Sequence, residues 1–168
     1  MPITFGPIVA GPYTGTYNAA AIGFTIEGFR LGYEYKEEVI QKTDLFAQTI
    51  IDAIYQGMNA RVSYKSRVYD ANNVAPISPW GALGVVYTAA APIARSARAA
   101  AKAFALSSVA ATPAAAAPAS LAATLSLLAA GTNTELLFDS SAREVPVALQ
   151  LYPYESAVNG TLVNFTLT

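Results

Sequence analysis

The chain contains no cysteine and no histidine in 168 residues. The first absence excludes disulfides, thiolate metal centres and cysteine nucleophiles, and the second removes the commonest general base and the commonest metal ligand. Charge is also scarce. Charged residues make up 12% and hydrophobic residues 54%, about half the charged fraction of an ordinary soluble domain. Such a surface is expected to be covered in part by something else. Ten Lys plus Arg against eleven Asp plus Glu leave a net charge of −1, with no basic block. The electrostatic footprint of a sequence-specific nucleic-acid binder is therefore missing.

Long, strongly apolar runs are lacking too. The stretch "AFALSSVAATPAAAAPASLAATLSLLAAG" carries no charge, but Ala, Ser and Thr dominate it and Pro113 and Pro118 interrupt it. A spanning helix needs about 20 strongly apolar residues, so "ATPAAAAPAS" reads instead as a small-residue insertion between two buried strands. The start, "MPITFGPIVAGPYTG", has no basic region and is broken by Pro2, Pro7 and Pro12. It does not read as a secretory signal, and the protein is expected to stay in the compartment where it is made.

What is present is two-faced β patterning. In "EGFRLGYEYKEEVIQKTD", Leu31, Tyr33 and Tyr35 alternate with Arg30, Glu34 and Lys36. In "ARVSYKSRVYD", Val62, Tyr64 and Val68 alternate with Arg61, Ser63, Lys65 and Arg67. Alternation of this kind marks strands with one covered and one wet or partner-facing side. Strands are expected over about 13–17, 21–26, 29–36 and 38–42, separated by glycines spaced like turns and bulges. Near the end, Val145, Val147, Leu149 and Leu151 share one face, and "TLVNFTLT" supplies another strand-like run.

Residues 44–56 stay open between helix and strand. Thr43 could cap a helix and Phe46, Ile50 and Ile54 recur at helical spacing, whereas the β-branched run Thr49 to Ile51 favours a strand. "PISPWGALG" reads as a short helical turn with Trp80 as a core anchor, and "APIARSARAAAKAF" as a helix with Arg95, Arg98 and Lys102 along one face, leading into a strand at "AFALS".

Catalytic constellations are weak. Glu37 and Glu38 are adjacent and would point to opposite faces of a strand. Asp44 and Asp52 lack further ligands for an oxygen-only metal site. "GPYTGTYN" has no Lys-Ser/Thr and fails as a phosphate loop. The serines of "FALSS" and "FDSSAR" have neither a nucleophile elbow nor a histidine. The reading is therefore of a protein that is not an enzyme and needs no cofactor or metal. The charged faces, Arg30, Glu34 and Lys36 with Arg61, Lys65 and Arg67, are either solvent faces or subunit contacts. Ten Tyr favour contact, since Tyr is enriched where surfaces meet.

The order of these features, "AIGFTIEGFRLGYEYKEEVIQKTD", "TIIDAIYQGMNARVSYKSRVYD", a Trp-containing turn, an Ala-rich stretch and "SAREVPVALQLYPYES", resembles the tail tube proteins of long-tailed bacteriophages and related contractile injection machines. The resemblance implies a mainly β fold, a β-sandwich or half-barrel with one flanking α-helix, assembling into a hexameric ring. Residues 1–168 would form a single tail-tube-like domain, with an N-terminal arm at 1–12 and an Ala/Pro-rich insertion around 108–120.

It further implies a structural virion protein. Rings would stack into a tube that conducts the genome, DNA passing non-specifically, with tape measure, baseplate, tail terminator and sheath proteins as further partners. The location would be the phage tail, assembled in the host bacterial cytoplasm. Residues 44–56 would then be a strand. Arg30, Glu34, Lys36, Arg61, Lys65 and Arg67 become candidates for the lumen or the subunit interface. The alternatives are another ring component of the same fold, such as a tail terminator, connector or baseplate hub, and a β-sandwich receptor-binding or decoration module contacting its target through "GPYTGTYN" and "YPYES".

Overall fold

The computed structural model describes residues 13–41, 50–67, 96–109, 120–130, 132, 144–155 and 162–168. The N-terminal arm at 1–12, Trp80 with its turn, and all but the edges of the 108–120 insertion lie outside the described residues. Strands are β1 Tyr13–Tyr17, β2 Ala20–Ala21, β3 Thr25–Gln41, β4 Ile50–Ser66, β5 Lys102–Ser108, β6 Ser120–Leu128, β7 Val145–Tyr152, β8 Tyr154–Glu155, β9 Leu162–Val163 and β10 Thr166–Leu167. The expected helix is a single turn, α1 Ala97–Ala100, capped by the Ser96 hydroxyl, which accepts from the Ala99 N–H. The backbone becomes extended at Ala101, with ψ 148°. Lys102 therefore opens β5 and shares no helical face with Arg98, and Arg95 lies outside the described residues.

One antiparallel sheet runs in the order β2-β1-β5-β6-β7-β4-β3, with β10 also on β6. Its two ends meet. Phe29 of β3 packs edge-on to Phe104 of β5 at 6.1 Å, and a Cβ placed on Gly15 of β1 would lie 2.6 Å from the Phe29 ring. The sheet is thus rolled over on itself as a half-barrel, and Gly15 is the residue that lets Phe29 come that close. Inside lie Tyr17, Val62, Tyr64, Phe104, Leu121, Val147, Leu149 and Leu151. Burial of each large apolar side chain contributes about 1.5–3 kcal/mol.

β7 shows the alternation most cleanly: Val145, Val147, Leu149 and Leu151 are buried and the residues between them are not. Pro146 is tolerated in it because β6 pairs with β7 only from Leu149 onward, so at Pro146 one side of the strand has no described partner. Two buried polar side chains tie the sheet to its neighbours: the Ser126 hydroxyl donates to the Lys102 carbonyl at 2.7 Å, and Asn164 Nδ2 donates to the Leu151 carbonyl at 3.0 Å.

The expected breaks near 27–28 and 37 are bulges in one 17-residue strand rather than gaps between strands. The β3–β4 register shifts between Ile26 and Phe29 and again between Lys36 and Glu37. Within 44–56 the chain is strand from Ile50 onward; residues 44–49 lie outside the described residues. A spacing of four fits one helical face but equally one face of a strand, so Phe46, Ile50 and Ile54 carry no information on their own, and pairing with β3 decides.

Candidate assembly interface

The β3–β4 hairpin is longer than the body that supports it. β7 pairs with β4 only over Ala60–Ser66, while the β3–β4 ladder continues to the pair Gln41 and Ile50. Roughly half of the hairpin is thus a two-stranded ribbon carried past the sheet. Asn164 braces the place where β4 leaves β7, its amide donating to the Met58 carbonyl at 3.4 Å as well as to Leu151. A cleft of about 620 Å³ opens at this root, lined by Tyr33, Met58, Arg61, Tyr152, Pro153 and Asn164 among others.

A bulge sets which side chains the ribbon presents. Lys36 pairs with Gly57 and Glu37 with Tyr55, leaving Gln56 as the extra residue, and Gly57 adopts φ 133°, open to glycine and strained for other residues. Without the extra residue Tyr55 would face the opposite way. With it, Tyr55 joins Tyr35, ring centroids 6.0 Å apart. Tyr35 is 5.6 Å from Tyr33, and Tyr33 is 6.1 Å from Phe165. These rings extend the core face of β3, where Phe29 meets Tyr64 at 5.2 Å, out onto bare ribbon. Tyr33, Tyr35 and Tyr55 are 55%, 58% and 59% exposed. The sequence pattern assigned Tyr33 and Tyr35 to a packed face; they do share that face, but nothing in the described chain covers them.

The six candidate residues come together only in part. By register, Arg30, Glu34, Lys36, Arg61 and Lys65 lie on the outer face of the hairpin, and Arg67 follows β4 in the same alternation. They divide along its length: Glu34 and Lys36 on the ribbon, Arg30, Arg61, Lys65 and Arg67 over the body. Three of the body cations are paired. Glu27 holds Arg30 at 3.1 Å and Lys65 at 3.3 Å, and Glu144 holds Arg67 at 3.3 Å. Being exposed, such pairs contribute about 0–1 kcal/mol each. Sequence reasoning missed Glu27 and Glu144 as partners, and for Glu144 no local signal existed, because it lies 77 residues from Arg67. It also missed Tyr55 as the third ring of the exposed face, which only the bulge at Gln56 places there.

Two further tyrosines sit in the core with hydroxyls that have no hydrogen-bond partner in the protein, Tyr17 and Tyr64. Burial pushes the Tyr17 phenol up to about 12. Tyr64 is pushed higher still, by burial first and then by the nearby Tyr17. Neither hydroxyl reaches the surface, so they bear on stability rather than contact. No group of three or more acidic side chains is placed to hold a metal ion among the described residues. No helix there is long and apolar enough to cross a membrane.

Among the described residues the fold is a mainly β half-barrel made of one rolled eight-stranded antiparallel sheet, with the separate β8–β9 pair, one short helix and a projecting aromatic ribbon. No protein-family model matches the sequence, and no curated protein matches it. Among solved structures the chain is similar to the tube-terminating cap of the anti-feeding prophage, seen by cryo-EM. The alignment covers 100% of this chain and 94% of that one, with a TM-score of 0.53 and 10% sequence identity. The two chains share a fold over essentially their whole length.

Proposed function

We propose that the chain is a structural subunit of a phage-tail-type tube, assembling with copies of itself into hexameric rings that stack and let the genome pass. It catalyses nothing on this reading, and it works in the virion tail alongside tape measure, baseplate, terminator and sheath proteins. The observation that carries the reading is the bare half of the β3–β4 hairpin. β3 ends the strand order, so a 17-residue edge and an aromatic face are both left without a partner within the described residues. An isolated chain with such an edge is prone to pair with others, and closed rotational symmetry uses up both features in a heterologous contact. The shared fold with a tube-terminating cap supports the same class of assembly.

The test is negative-stain electron microscopy of the purified chain with light scattering on the same sample. Rings about six subunits around with a central channel, or tubes of them, are expected for closed rotational symmetry. A monodisperse species of 17.5 kDa at every concentration would sink the proposal. A second reading, a cap that terminates a tube, is favoured by the nature of the structural neighbour. Growth beyond one ring would exclude it, and assembly stopping at a single ring would favour it over the tube subunit.

A further inference from the structure

The hairpin that carries the candidate interface is electrically polar along its length. The ribbon carries Glu34, Glu37, Glu38 and Asp52 against Lys36, four acids to one base, or −3. The other end and its flank carry Arg30, Arg61, Lys65 and Arg67 against Glu27 and Glu144, four bases to two acids, or +2. The segment joining the strands, residues 42–49, adds one Lys and one Asp by sequence and leaves the balance unchanged. The two charge groups adjoin where Arg61 and Glu34 sit on neighbouring steps of the ladder, but their centres lie on the order of 30 Å apart at strand rise, about three screening lengths.

Each charged end is also apolar. The ribbon exposes Tyr35, Ile40, Ile54 and Tyr55. The base exposes Phe24, 75% accessible, the most exposed large hydrophobic side chain among the described residues. Phe24 is held beside the basic cluster by a hydrogen bond from the Arg67 N–H to its carbonyl at 3.0 Å. By register both faces of the ribbon end are acidic and apolar, with Tyr35, Tyr55 and Glu37 on one and Ile40, Ile54, Glu34, Glu38 and Asp52 on the other; that end and the basic end beside Phe24 are complementary to each other, and neither is complementary to itself.

We infer that a second copy of this chain docks head to tail on the hairpin, the acidic aromatic ribbon of one copy seated on the basic, Phe24-bearing base of the next. This rests on the ring-subunit reading and supplies it with a named contact. Each copy carries one donor end and one acceptor end, so any open chain of docked copies keeps one free end of each kind, which either takes up a further copy or closes the ring. Complementary charge fixes the register and orientation of approach, and the apolar side chains supply the area that excludes water.

The experiment is a charge swap on the full chain, read by light scattering and sedimentation at low and high salt. Glu37→Lys with Glu38→Lys makes both ends basic, and Arg30→Glu with Arg61→Glu makes both ends acidic. All four side chains are exposed, and unchanged circular dichroism and melting temperature confirm that each variant folds. Each variant alone is expected to associate roughly tenfold or more less tightly than the native chain at low salt. An equimolar mixture of the two is expected to recover species larger than a pair.

If the native chain associates and the ribbon variant does so equally well, the contact is overturned while the ring-subunit reading stands. Failure of the two folded variants to co-assemble, or association that stops at pairs, also overturns it. A native chain that stays monomeric at all concentrations and salts overturns the ring-subunit reading itself.

Discussion

The same two strands live in two environments. Over Thr25 to Leu31 and Val62 to Ser66 the β3–β4 hairpin is backed by the rest of the rolled sheet, and Val62 and Tyr64 are at most 5% exposed. Beyond Tyr33 and Ala60 the identical ladder continues with no described residue of the sheet paired behind it. A two-stranded ribbon alone is marginal in water, so the outer half borrows its order from the inner half through continuous pairing, through the edge-to-face tyrosine rings and through the Asn164 brace. One half is buried for stability, and on the proposed reading the other is left for contact. Substitutions should therefore separate the two properties cleanly.

The largest effect is expected in the core. Phe104 is 1% exposed and lies where the two ends of the sheet meet. Phe104→Ala should cost about 3–5 kcal/mol, seen as a large drop in the urea midpoint, and should abolish assembly only because the chain unfolds. A change below about 1 kcal/mol would mean that the two ends of the sheet do not pack as described. Replacing Tyr33, Tyr35 and Tyr55 together with Ser should do the reverse. Unfolding of the monomer should move by no more than about 1 kcal/mol, while association measured by light scattering is lost. Substantial unfolding by the triple variant would make these rings part of the core and erase the distinction between the two halves.

Much of the body was legible from sequence because burial imposes a period of two. Val145, Val147, Leu149 and Leu151 mark β7 without ambiguity, and Val62 and Tyr64 mark the inner half of β4. The ribbon was half legible. Its alternation predicted a strand, but alternation reads the same whether the apolar face is covered by the chain itself or left bare, so the exposure of Tyr33 and Tyr35 had no signature. The first bulge was legible as Gly28 and misread as a strand end, since a Gly that permits an extra residue looks locally like one that permits a turn. By register the six candidate charges lie on one face of the hairpin and its continuation at Arg67. Their division into an acidic ribbon and a basic base depends on where β7 stops pairing with β4, and that is a long-range fact.

A smaller effect separates core from surface tyrosines. Tyr17 and Tyr64 have phenols raised above the ordinary value of 10, Tyr17 to about 12. The unfolded chain releases these protons from about pH 10, while the folded chain holds them. The unfolded state thus binds fewer protons in this range, and stability is whole below pH 10 and falls as pH rises toward 12 and above. Tyr64→Phe removes a buried hydroxyl without a protein partner and should raise stability by about 1 kcal/mol and flatten the alkaline loss, both seen in urea melts between pH 8 and 11. The same exchange at exposed Tyr35 should change neither. Equal alkaline profiles for native and Tyr64→Phe chains would show that the buried phenols are not the source of the loss.

The smallest effect tests the joint where the hairpin begins. Glu27 sits at φ 63° in the first bulge, followed by Gly28 at 71°. For a non-glycine residue that conformation costs about 1–2 kcal/mol, and the compensation visible is the pair of ion bridges to Arg30 and Lys65, both well exposed. Glu27→Ala loses the bridges and keeps the strain; Glu27→Gly loses the bridges and the strain together, against a gain of about 0.5–1 kcal/mol in unfolded-state entropy for glycine. The Gly variant should therefore be the more stable of the two by about 0.5–1 kcal/mol, and that gap should not depend on salt. The deficit of the Ala variant against the native chain comes from exposed charges and should shrink in high salt. A gap between the two variants that vanished as salt was added would trace it to charge and not to backbone conformation, and Glu27 would then be an ordinary surface carboxylate rather than a strained one held in place by the cations at the base of the ribbon.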